Sequence, residues 1–132
     1  MVTGHVLTRL RTAAIALAIR PLLERAALAR TTMTDLEIGF SAPNSQEWYA
    51  LADALNICLP IEIEPRHFHR ALEVQRLLAG DGHRGRKIPD LLIAAAAEHH
   101  GLAVLHYDSD YDLISTVTSQ PAEWVVPAGS VD

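Results

Sequence analysis

Three short stretches set acids where a helix or strand would place them usefully: Glu37 in Thr34-Asp35-Leu36-Glu37-Ile38-Gly39, Asp90 in Lys87-Ile88-Pro89-Asp90-Leu91-Leu92-Ile93, and the group Asp108-Ser109-Asp110-Tyr111-Asp112. Carboxylate oxygens are hard donors, and acids gathered at one point hold Mg²⁺ or Mn²⁺ in preference to zinc. On a helix Thr34, Glu37 and Ser41 share a face while Leu36 and Phe40 turn toward a core, so Glu37 can look into a polar cleft; a solvated helix glutamate is the plainer alternative. Proline and an acid in a first helical turn are ordinary helix-start chemistry, but the apolar run Leu91 to Ala97 makes the Asp90 helix a buried one and puts its acid at the rim of the core. Asp108 follows an apolar run directly, with Asp110 as its helper; the competing role for Asp110 is to cap the next helix, and Asp112 reads as structural or solvent-facing.

The remaining chemistry-bearing types say less. His99 and His100 are sequence neighbours that diverge on a helix, so they form no metal pair with each other and are expected to interact with the helix C-terminus; His67 and His69 are too close for one helical face, and His83 and His106 have no spaced partner, so these four read as surface or internally satisfied histidines. Cys58 is the only cysteine and sits in an apolar setting, which points to a buried, inert thiol and rules out an internal disulfide. The basic run His83-Arg84-Gly85-Arg86-Lys87 precedes Asp90 and is expected to border the acidic site and guide a nucleic-acid phosphate toward it.

Those acids need elements to position them. Apolar spacing predicts helices from Val6 to about Leu23 with a bend or new start at Pro21, a helix from Met33 to Phe40 with Leu36 and Phe40 buried, and one capped by Asn44 or Ser45 that runs to about Ile57. Pro65 opens another that Gly80-Asp81-Gly82 breaks, Ile88 to His100 is closed by Gly101, and a short one covers about Asp110 to Thr118. Extended segments fall at residues 28–32, 59–64 (Ile61 and Ile63 on one face), 103–107 and 124–126. Strands alternating with helices predict a three-layer α/β/α fold with a central, mostly parallel sheet, and such sheets carry their sites at the carboxyl ends of the strands. The chain begins almost directly with a helix, so the first strand is expected to be shortened or missing.

At 132 residues the chain is read as one domain, 1–132, and its 49% apolar and 20% charged composition is that of a globular protein. No apolar run approaches the roughly 20 residues of a membrane span, which makes a cytoplasmic location the expectation. The net charge of −5 argues against a protein that coats nucleic acid through a broad basic surface, while leaving room for a local basic patch.

In this order, the three acidic motifs and the closing Glu123-Trp124-Val125-Val126-Pro127 resemble the VapC toxins, ribonucleases of the PIN-domain family, over nearly the whole chain. The resemblance implies a PIN-like fold and a Mg²⁺- or Mn²⁺-dependent endoribonuclease that cuts RNA, forms a homodimer and is silenced by a VapB-type antitoxin. It makes Glu37, Asp90 and Asp108 the second, third and fourth acids of the family and Asp110 an accessory ligand. The family's first motif is a strand ending in Asp-x-Ser before a helix that begins like Val6-Leu7-Thr8-Arg9-Leu10; counted back from Val6, Thr3 stands where the aspartate belongs and His5 where the serine does. Losing one of four carboxylates weakens attraction for a divalent cation, so the alternative is a catalytically impaired PIN-like protein that still binds antitoxin. An upstream strand ending in aspartate would restore the set. A phospho-receiver domain, which needs adjacent acids after its first strand, has no support at this N-terminus.

Overall fold

The computed structural model describes residues 1–10, 12–83 and 86–131; Arg84, in the basic run, lies outside the described residues, as does the side chain of His5. The elements are α1 (Gly4–Leu7), α2 (Ala13–Glu24), β1 (Ala29–Thr31), α3 (Thr32–Phe40), α4 (Ser45–Leu55), β2 (Leu59–Ile61), α5 (Pro65–Gly80), α6 (Ile88–His99), β3 (Val104–His106), α7 (Asp110–Thr118) and β4 (Ala122–Trp124). β1 pairs parallel with β2, and β3 parallel with β4. Between the pairs runs the N-terminus: Val2 N–H donates to the Ala29 carbonyl (2.8 Å), Leu105 N–H to the Met1 carbonyl (2.7 Å) and Thr3 N–H to the Leu105 carbonyl (3.2 Å). Residues 1–3 therefore take the central place between the two strand pairs as a strand-like segment, with Val2 in a single parallel bridge to Leu105. Even the terminal ammonium is used, donating to Ala103 O at 2.8 Å.

Strand alternation divides the core in two. Met1, Ala29 and Val104 face α5, α6 and α7, packing with Val74, Leu78, Leu92, Ile93 and Ile114. Val2, Leu28 and Cys58 face the opposite layer, with Val6 of α1 and Ile15 and Ile19 of α2. This is the three-layer α/β/α arrangement. α6 is buried on every side from Leu91 to Ala97, because four consecutive alanines let neighbouring elements approach closely. Pro21 lies inside α2 and starts no second helix. The Cys58 thiol is buried and its pKa raised by that burial, the state of an unreactive structural thiol.

Three expectations are corrected. α3 buries Thr34 and Ile38, while Leu36 is exposed and Phe40 is 92% exposed. Thr31 at the N-cap, whose Oγ1 accepts from Thr34 N–H at 3.2 Å, starts the helix a residue earlier than expected, and its buried stripe runs through Thr34 and Ile38. The last strand spans Ala122–Trp124, two residues before the stretch that Val125 and Val126 suggested, because parallel pairing to β3 sets its register and those valines pack below the sheet. β2 stops at Ile61 rather than Glu64.

Candidate functional site

Three segments converge at the carboxyl edge of the sheet. Asp90 enters from the first turn of α6, where Pro89 forgoes an N–H that would have no partner. Asp108 follows β3 and is fixed locally: its N–H donates to His106 Nδ1 (3.1 Å), and its Oδ1 accepts from Asp110 N–H (3.0 Å). Asp108, and not Asp110, thus holds the backbone at the start of α7, leaving the Asp110 carboxylate free to face the site. One ligand atom from each of Asp90, Asp108 and Asp110 falls within 4.8 Å of the others. Glu37 arrives from α3 and lies outside that group of three, half-buried against the backbone of Gly4; a Cβ at Gly4 would sit 3.2 Å from Glu37 Oε1, so the bare glycine makes room for the acid.

Burial and mutual repulsion set the electrostatics. Asp90 is 1% exposed, and burial pushes its pKa up to about 6 although Tyr111 donates a hydrogen bond to Oδ1 (3.1 Å). Its Oδ2 and Glu37 Oε1 are buried without a hydrogen-bond partner. Glu37 is raised as well, first by burial and then by the charge of Asp90. Orphaned buried acceptors are costly, and one such oxygen on Asp90 beside the Asp108 and Asp110 carboxylates suits a divalent cation bound through oxygen. The donor set therefore fits Mg²⁺ or Mn²⁺.

Two cations of the chain lie directly on this site. Lys87 Nζ is 3.0 Å from Asp108 Oδ2 and Arg86 Nη1 is 2.5 Å from Asp110 Oδ1. The Lys87 ammonium is held more strongly protonated, chiefly by its hydrogen bond to Asp108. The basic run borders the acids as expected, but these two members bond to carboxylates instead of projecting outward. Thr3 ends the central strand fully buried, with Oγ1 lacking a partner.

Tyr111 was not singled out from sequence, although it lies inside the Asp108 motif; burial raises its phenol pKa, so it remains a donor to Asp90. His106 is likewise buried, stacked between Tyr111 and Trp124 (ring centroids 5.3 and 4.9 Å), and burial lowers its pKa. Asp112 accepts from Trp124 Nε1 at 2.8 Å and approaches His106 Nε2 at 3.4 Å, a structural placement.

The histidines correct the sequence reading outright. Glu64, His67, His99 and His100 each bring a ligand atom within 4.8 Å of the others. His99 and His100 meet, with ring centroids 4.7 Å apart, because α6 ends at His99 and His100 is its C-cap, so helical divergence does not apply. His67 joins them from α5, which a bidentate ion pair between Arg70 and Glu98 (2.7 and 3.1 Å) holds against α6.

The family model described as the PIN domain matches residues 5–116. The chain is 57% identical over 127 residues to Ribonuclease VapC51 of Mycobacterium tuberculosis, covering 96% of this chain and 93% of that protein. It is 45% identical to Ribonuclease VapC21 of the same species, over 85% of this chain and 83% of the relative. Among solved structures, VapBC2 from Rickettsia felis bound to a promoter DNA fragment is similar in fold at TM-score 0.76 and 13% identity, covering 93% of this chain and 96% of that one. VapBC-1 from nontypeable Haemophilus influenzae matches at TM-score 0.71 and 16% identity, over 95% and 96% of the two chains.

Proposed function

The chain belongs to the VapC group of the PIN-domain family, and we propose that it is a metal-dependent endoribonuclease toxin of a VapBC-type system, with Glu37, Asp90, Asp108 and Asp110 as its metal-holding acids. The observation that carries this reading is the convergence of Asp90, Asp108 and Asp110 within 4.8 Å, with Asp90 Oδ2 buried and unpartnered among them and Glu37, its own Oε1 unpartnered, close enough for the charge of Asp90 to raise its pKa. In a parallel α/β sheet this edge is where ligands bind. The ribonuclease names of VapC51 and VapC21 support RNA as the substrate.

When bound, Mg²⁺ or Mn²⁺ would supply Lewis acidity toward a phosphodiester and lower the pKa of water beside it. The chain's own residues do the rest. Tyr111 orients Asp90 through Oδ1, leaving Oδ2 toward the site. The Asp90 carboxyl gives up its proton near pH 6, so cation occupancy rises as pH climbs through that value. Lys87 and Arg86 hold Asp108 and Asp110 in place, and both can turn to phosphate oxygens when RNA arrives.

Exposed apolar side chains on α3 and α4, Leu36, Phe40, Trp48 and Tyr49, and on α5, Phe68 and Leu72, give a VapB-type antitoxin and a second copy of the chain surfaces to cover. The VapBC structures of similar fold favour such a partner. No helix of the described residues is long and apolar enough to cross a membrane.

A second reading has one observation of its own. Thr3 offers a neutral hydroxyl at the end of the central strand, where the family's resemblance calls for a carboxylate, and Lys87 and Arg86 already neutralise two of the acids. That arrangement favours weak metal affinity and an impaired nuclease that keeps antitoxin binding. RNA cleavage by the chain and by Thr3→Asp, each with Mg²⁺, Mn²⁺ or chelator, separates the two. Metal-dependent cutting by the unaltered chain supports the first; cutting only by Thr3→Asp supports the second; cutting that ignores chelator excludes a metal role.

A further inference from the structure

At the far end of α6 from Asp90, about 14 Å along the helix, the cluster of Glu64, His67, His99 and His100 has no part in the acidic site. The geometry points to a second metal site here, specific for Zn²⁺ and similar borderline ions, in which the Glu64 carboxylate and the His99 and His100 imidazoles are ligands and His67 orients Glu64. Imidazole nitrogen with a single carboxylate suits Zn²⁺, Co²⁺ or Ni²⁺ and not the hard ions of the carboxylate site.

The proton arrangement assigns the roles. Glu64 N–H donates to His67 Nδ1 at 2.8 Å, so that nitrogen holds a lone pair and the hydrogen of the neutral ring sits on Nε2. His67 is 1% exposed, and a ring whose Nδ1 accepts carries its one hydrogen on Nε2. Its Nε2–H therefore donates to His99 Nδ1, 3.0 Å away. His67 cannot ligate through Nε2 without surrendering its bond at the start of α5, but it can swing that donor to Glu64 Oε2, 3.8 Å distant. A ligating carboxylate is held in the same way by a hydrogen-bond donor behind it in other metal sites. His99 Nδ1 is then released to the metal, with Glu64 Oε2 at 3.8 Å from it.

Ligand atoms around tetrahedral zinc stand about 3.3 Å apart, given Zn–N and Zn–O bonds of about 2.0–2.1 Å. The Glu64–His99 pair needs to close by only about half an ångström, which exposed side chains at a helix end can supply. Arg66 is the opposing element. Its Nη1 lies 3.1 Å from His99 Nε2 and its Nε 3.7 Å from Glu64 Oε2. Yet once His99 Nδ1 accepts from His67, its Nε2 carries the ring hydrogen and meets the guanidinium donor to donor. Arg66 gains little there and is largely exposed, so it can leave. The three ligands keep one coordination position open, and the metal would tie the start of α5 to the end of α6.

The test is Zn²⁺ titration by calorimetry and Co²⁺ absorption on the full chain, made without an added histidine tag and in excess Mg²⁺. One Zn²⁺ per chain, displacing Co²⁺ from a nitrogen-rich spectrum, is expected. His99→Ala with His100→Ala should weaken binding at least about tenfold, Arg66→Ala should tighten it, and Asp90→Asn should leave it unchanged. The His variants are exposed and their folding is checked by circular dichroism. Absence of stoichiometric Zn²⁺ binding, indifference to the His99/His100 change, or loss of binding in Asp90→Asn would overturn the assignment.

Discussion

The two ends of α6 carry opposite chemistries. At its N-terminus Asp90 is buried among other carboxylates with oxygens that lack partners, and at its C-terminus His99 and His100 stand near a single carboxylate with their protons already shared out. Helix dipoles favour both placements, acids at the amino end and histidines at the carboxyl end. Electrostatics alone would therefore build this pattern in a helix with no function. What separates the ends is satisfaction: the acidic end holds acceptors that only a cation or proton can satisfy, whereas the histidine end has a working hydrogen-bond chain that a metal must rearrange.

That contrast predicts unequal responses to mutation, and the largest belongs to Asp90. Asp90→Asn should reduce metal-dependent RNA cleavage on the order of 10²-fold or more, since even residues that only support a metal ligand cost 10–100-fold. Single-turnover rates at saturating Mn²⁺ check this; retention of most activity would make the acidic end no more than a structural cluster.

Thr3→Asp sharpens the same end from the other side. A fourth carboxylate at the end of the central strand should raise Mn²⁺ affinity at least about tenfold, while lowering the melting temperature of the metal-free chain through added repulsion. Calorimetric titration and a thermal melt on one sample read both, and an unchanged affinity would show that Thr3 does not face the cation.

Next in size is the stability stored in the Asp90 proton. Its folded pKa of about 6 lies above that of a free carboxylate, so the folded chain binds this proton more tightly than the unfolded chain does. Stability is therefore greatest below about pH 4 with respect to this group and falls as pH rises to about 6, by at most about 3 kcal/mol. Asparagine cannot ionise and its Oδ1 can still accept from Tyr111, so metal-free Asp90→Asn should melt higher than the parent at pH 8 and lose that advantage by pH 4. Equal melting temperatures at pH 8 would mean that Asp90 is already compensated.

Lys87→Met has the smallest effect, and its sign differs between ligands. Removing the ammonium takes away one competitor for the Asp108 carboxylate, which should tighten Mn²⁺ binding modestly. RNA binding should weaken, with the salt slope shallower by roughly 0.7 for one lost phosphate contact to a single strand. An unchanged slope would confine Lys87 to a structural ion pair.

The meeting of Asp90 with Asp108 and Asp110 was legible in the sequence because each lies in a compact local motif, proline before Asp90 and an apolar strand before Asp108, whereas Glu37, marked by a helix start, lies outside their group. Tyr111 escaped notice because its hydrogen bond to Asp90 spans 21 positions, a relation fixed by the packing of α7 on α6. The histidine end was illegible for the same reason on a larger scale. His67 and His99 are 32 positions apart, and their meeting depends on the Arg70–Glu98 ion pair and on a helix that stops one residue early. α3 was misread because Leu36 and Phe40 look like core residues by type, while its buried stripe runs through Thr34 and Ile38. The central place of residues 1–3 came only from hydrogen bonds on both sides.

The central claim is that the carboxylates at the amino end of α6 form a divalent-cation site, and Mn²⁺ binding followed by electron paramagnetic resonance tests it most directly. One Mn²⁺ per chain is expected at pH 8, lost in Asp108→Asn and weakened as pH falls through about 6 with protonation of Asp90. Equal Mn²⁺ binding by the parent and Asp108→Asn, or no binding by either the parent or Thr3→Asp, would contradict it.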